Sequence, residues 1–189
     1  MMRILIGGVL GGIAIFFGSF ITHMLTPLGA AGVNSVPSDD TVQRCLKANM
    51  PAADGLYFFP AIDMSKMNDQ AVQAEWMARN KQGGGLIIYH PNGSPELSPK
   101  LFLGELASNI LIALIAAFIV SLTSVSFVQR VVMVTLLGVL AWGSISLSYW
   151  NWYAYPRNYI LAEGVDQIFG WLLCGIVLAL VFRKHRQIA

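Results

Sequence analysis

Four apolar stretches, residues 4–21, 106–125, 131–149 and 165–182, limit what this chain can become. A helix rises 1.5 Å per residue, so roughly 20 apolar residues cross a ~30 Å hydrocarbon core. Core helices of soluble proteins need runs of only about 10–14. Hydrophobic residues make up 56% of the 189-residue chain and charged residues 12%. That charged share is about half the globular norm. The pattern excludes an ordinary soluble domain. It predicts a mainly α fold: a four-helix transmembrane bundle with a small α+β extracytoplasmic domain inserted between helices 1 and 2. The first stretch follows Arg3 and precedes Gly29 and Ala31, which loosely fit a signal-peptide cleavage site. Its apolar run exceeds a signal core, so a retained anchor is expected.

Charge orients this scheme. The segments before the first stretch, between the second and third, and after the fourth hold Arg3, Arg130, Arg183, Lys184 and Arg186, with no acid among them. The other two segments carry all ten acidic residues and seven of the twelve basic ones. Basic residues in short loops stay on the cytoplasmic side. A bacterial-type inner (plasma) membrane protein is therefore expected, multi-pass, with both termini cytoplasmic and residues 27–100 outside. The tail Arg183-Lys184-His185-Arg186 reads as a stop-transfer anchor rather than a lipid-recognition patch. A net charge of +2 gives no sign of a nucleic-acid partner.

The expected organisation is helix 1 over 1–26, an α+β cap over 27–100, and helices 2–4 over 101–189. An aromatic outer loop is expected at 150–163. In the cap, Ser38, Asp39 and Asp40 start a helix that ends near Asn49, before Pro51. Residues 56–59 and 86–89 read as strands, pairing beneath a helix over 68–81. Gly83, Gly84 and Gly85 end that helix; without a following Gly-Lys-Ser/Thr they are a turn, not a phosphate loop. Ser98 and Pro99 begin a helix expected to run unbroken into the second span. Cys45 and Cys174 fall in the cap and mid-span, too far apart to pair.

Helix 1 carries Gly7, Gly8, Gly11, Gly12 and Gly18, giving two overlapping small-xxx-small registers. Such faces let helix backbones approach closely in lipid. The partner is a span of the same chain or a helix from another subunit. Trp150, Trp152 and neighbouring tyrosines resemble an interfacial aromatic belt.

One polar constellation stands out. His23 ends helix 1, Glu105 and Asn109 open helix 2, Asn151 closes helix 3, and Glu163, Asp166 and Gln167 open helix 4. Antiparallel spans bring these to one height, and ionisable groups there are functional candidates. The plainer alternative is that they snorkel at the interface and tie loops together. His23, Glu105 and Asp166 could ligate a metal. No cofactor is implied, since no span holds the facing histidines a b-type haem needs, and no catalytic motif is present. The expected function is a non-enzymatic accessory or scaffold subunit of a larger membrane complex. It would dock through the glycine-rich helix and the cap, with membrane lipid and other subunits as partners. The alternatives are a small-solute transporter or ligand-binding sensor using the polar cluster, and a membrane metal-binding protein or enzyme.

Overall fold

The structure is a computed structural model that describes residues 1–183; Lys184, His185 and Arg186 of the expected tail lie outside the described residues. In chain order the elements are α1 (Met2–Phe20), a π-helical turn (Ile21–Leu25), a 3-10 turn (Pro27–Ala30), α2 (Asp39–Asn49), β1 (Gly55–Phe59), a 3-10 turn (Met64–Lys66), α3 (Gln70–Asn80), β2 (Gly85–Tyr89), α4 (Pro99–Ser121), α5 (Phe127–Tyr153) and α6 (Arg157–Val181). Two compact units result: Met1–Asn34 with Glu96–Ala189, and Ser35–Pro95. The second is shorter than the expected cap of 27–100. Residues 27–34 stay with the helices, where Gly32 (φ +78) lies too close to the Tyr159 backbone for any side chain.

The helical unit holds four helices long and apolar enough to cross a membrane: α1 with its π turn, α4, α5 and α6. Pro99 sits at the first position of α4, where its missing N–H matters least. Ser126 and Gln129 form a reciprocal capping box at the start of α5. The expected aromatic loop at 150–163 is mostly helix. α5 runs to Tyr153 and α6 begins at Arg157, so only 154–156 connect them. Ala154 turns the chain in the left-handed region (φ 53), and Pro156 cannot continue the preceding helix. Tyr155 bridges the turn, its ring stacked on Tyr149 at 5.4 Å and tilted against Tyr159 at 5.5 Å. Glu163 and Asp166 therefore lie inside α6 rather than ahead of it.

The helices pack in the order α4–α1–α6–α5; α4 barely touches α5 or α6. The glycines of α1 explain this order. A Cβ on Gly8 would stand 2.8 Å from Leu114 Cα, and one on Gly12 2.6 Å from Ile110 N, so α4 lies against that register. Gly7 and Gly11 instead meet Leu178 and Cys174 of α6, each at 2.9 Å. A Cβ on Gly18 would stand 3.2 Å from Gly170 Cα. Both registers are thus occupied within the chain, one on each neighbour. Between α5 and α6 the contact is tryptophan over glycine: Trp171 covers Gly138 and Trp142 covers Gly164. Trp142 Nε1 also donates to Ile160 O at 2.9 Å. Ala113, Ala117, Val120, Val134, Cys174 and Leu178 are fully buried at the core.

In the second unit β1 and β2 pair antiparallel, from Gly55↔Tyr89 to Phe59↔Gly85. His90 Nδ1 lies 3.3 Å from Asp54 Oδ2, just beyond the last pair. Ser38 occupies the N-cap of α2 but makes no side-chain bond there; Asp39 Oδ1 accepts from Asp40 N instead. Asp69 caps α3, accepting from the Ala71 and Val72 amides. In place of the expected layer of helix over strands, Trp76 Nε1 donates to Pro60 O at 2.9 Å, and α3 packs on neither strand extensively. No residue of this unit is fully buried, because α3 brings few large apolar side chains to a sheet only two strands wide. The Phe59–Pro60 peptide is cis.

Candidate functional site: a polar pocket between three helices

A cavity of about 380 Å³ opens where α1 ends and α4 and α6 begin. Its size falls within the ~300–1,000 Å³ range of small-molecule sites. Each helix contributes one stripe. On α6, Glu163, Asp166, Gln167, Gly170 and Trp171 recur at three- and four-residue spacing, which places them on one face. On α4, Glu105, Asn109 and Ile112 line the cavity, with Phe102 one turn before. On α1, Ile15 and Phe16 lead to Ser19, Phe20 and His23. The last of these lies in the π-helical turn, a wider coil that recurs at functional sites.

Asp166 anchors the polar wall and is only 5% exposed. One carboxylate oxygen accepts from the Thr22 hydroxyl, and the other accepts from Ser19 Oγ at 3.3 Å. His23 Nδ1 stands 3.5 Å from the first oxygen and 3.1 Å from Ser19 O. The carbonyl favours the tautomer with the proton on Nδ1, leaving Nε2 as an acceptor. Across the cavity Asn109 Nδ2 donates to Glu105 Oε1 at 3.1 Å. Asn109 is buried and Glu105 exposed, so polarity extends from an accessible rim to a sequestered floor. Ile15, Gly170 and Trp171 close that floor, next to the Gly18–Gly170 approach.

Six of the seven residues singled out from the sequence line this cavity: His23, Glu105, Asn109, Glu163, Asp166 and Gln167. Asn151 does not. It sits exposed in the last turn of α5, and α6 separates α5 from α1. Sequence reasoning singled out neither Ser19 nor Thr22, whose hydroxyls donate to Asp166. The signal was available, since Ser19, Thr22 and His23 repeat at helical spacing and point one polar stripe at one neighbour. Among the described residues, no group of three or more His, Cys, Asp or Glu side chains is gathered closely enough to hold a metal ion. His23, Glu105 and Asp166 line one cavity without converging on a point.

Fold and site together define a mainly helical protein with four helices able to cross a membrane and a mixed polar–apolar pocket between three of them. Comparison with protein-family models, curated proteins and solved structures found no match.

Proposed function

We propose that this chain is a ligand-binding membrane protein, a sensor or small-solute transporter, whose site is the pocket between α1, α4 and α6. The observation that carries this reading is the cavity itself. Buried Asn109 and Asp166 share one ~380 Å³ space with exposed His23 and Glu105. Residues that merely snorkelled would reach away from the helices instead of enclosing a volume. The charge pattern supports an orientation with both termini cytoplasmic and residues 35–95 outside, so the pocket would open outward. A reporter fused after Ala189 tests it: export of the reporter would reverse the orientation.

The binding test is a thermal-shift panel of amines, amino acids, sugars, carboxylates and nucleosides on the full chain in nanodiscs. A solute at 100 times its Kd adds about 2.7 kcal/mol of stability. At least one compound class should stabilise the protein saturably, and Gln167→Trp, which puts bulk on the wall, should abolish the effect. If every compound acts equally on both proteins, the pocket has no such role.

The accessory-subunit reading keeps one specific support. Only 11% of the apolar stretch of α5 is buried, against 44% in α6. With both glycine registers filled internally, a partner subunit would dock on α5. Purification in mild detergent tests this, because a subunit should carry stoichiometric partners that charge substitutions along α5 release.

A further inference from the structure

We propose that the pocket takes a primary ammonium ion carried on a compact apolar or aromatic body; this rests on the solute-pocket reading above. Among the described residues no lysine or arginine lines the cavity, whereas Glu105, Glu163 and Asp166 do, with His23 the only basic side chain. Asp166 is satisfied by the Ser19 and Thr22 hydroxyls. Glu105 receives only the amide of Asn109. Asn109 is itself 5% exposed, and among the described residues its side chain bonds through Nδ2 alone, so its amide oxygen is an open acceptor on the wall. The polar side of the cavity is therefore rich in acceptors and negative charge.

A guest must donate hydrogen bonds and bring positive charge. An –NH3+ group has three donors and no acceptor. A quaternary ammonium has no N–H for these oxygens. A carboxylate guest would add like charge beside Glu105, Glu163 and Asp166, and a neutral guest would bring them no counter-charge. The remaining walls suit the rest of such a molecule. Phe16, Phe20, Phe102 and Trp171 line them, aromatic side chains favourable both to a cation and to an apolar body. The same chemistry is available from a free amine or from the amino headgroup of phosphatidylethanolamine.

The test measures binding of 2-phenylethylammonium, 2-phenylethanol and phenylacetate to the full chain in phosphatidylcholine nanodiscs by calorimetry. The ammonium should bind saturably and at least about tenfold more tightly than the alcohol, a difference of 1.4 kcal/mol. Glu163→Gln and Glu105→Gln should each weaken it about tenfold, and Gln167→Trp should block it even if one of the acid variants fails to fold. Loss of ammonium binding when phosphatidylethanolamine is added supports the assignment with the lipid headgroup as source. Undiminished binding supports it with a free amine as source. Equal or tighter binding of the alcohol or the carboxylate overturns the ammonium class while leaving a solute pocket in place. Ammonium binding untouched by all three variants also overturns it, because the site would lie elsewhere. Absence of binding by all three probes overturns it too, and the broader solute panel then decides the pocket reading separately.

Discussion

Replacing Gly12 with alanine should loosen the contact between α1 and α4 more than any other single methyl addition on the second register. The new Cβ would stand 2.6 Å from Ile110 N and 2.8 Å from the Asn109 carbonyl carbon. Both neighbours are backbone, so no rotamer change relieves the clash. Ile110 Cα lies closer still, so to reach an ordinary 3.4 Å contact one helix must retreat by roughly 1 Å. Overpacking of this kind costs about 1–3 kcal/mol. The better helix propensity of alanine returns up to ~1 kcal/mol, leaving a net loss of up to about 2 kcal/mol. Gly7→Ala should cost less, because there only the end of the Leu178 side chain has to move. Gly104→Ala and Gly143→Ala, with nothing within 4 Å, serve as controls that carry the propensity gain without a clash. Equilibrium unfolding by SDS in mixed micelles gives the ranking. Because Asn109 lies at the clash itself, Gly12→Ala should also weaken any pocket ligand. If Gly12→Ala unfolds with the controls, the close approach of α1 and α4 is wrong.

Three further outcomes are expected. Asp166→Ala removes the acceptor shared by Ser19 and Thr22, costing about 1–3 kcal/mol by unfolding, whereas Asp166→Asn should cost less because it keeps one acceptor oxygen. Trp142→Phe deletes the donor to Ile160 O while keeping an aromatic ring near Gly164, for a loss of about 0.5–1.5 kcal/mol; no change would mean the indole N–H bonds elsewhere. In the second unit the Ser65 hydroxyl and amide hold the Asp63 carboxyl below its ordinary value of 3.8. A depressed folded value stabilises the 64–66 turn above the unfolded value and is lost as pH falls through the folded one. Amide shifts of Ser65 should therefore titrate below pH 3.8 in the wild type and stay flat in Asp63→Asn.

Much of this architecture is legible in the residues. The four spans follow from run length, because the bilayer interior offers no partner to an unpaired backbone group and enforces helix throughout each run. The strands at 55–59 and 85–89, the stop before Pro51 and the start at Pro99 follow from equally local chemistry. The aromatic stretch after Tyr149, expected as a loop, is mostly helix. Helical hydrogen bonding persists through such residues until Ala154 and Pro156 interrupt it.

The candidate site divides in the same way. Its acids, His23 and Asn109 announce themselves as polar groups at the ends of apolar runs. Nothing local says which of them share a cavity, and Asn151 has the same signature yet stands apart on α5. Adjacent glycines on α1 likewise look equivalent in one dimension, but Gly8 and Gly12 admit α4 while Gly7 and Gly11 admit α6. Helix identity depends on each residue and its near neighbours along the chain. Helix order depends on which small face meets which large side chain, a relation between distant segments that exists only once they have packed.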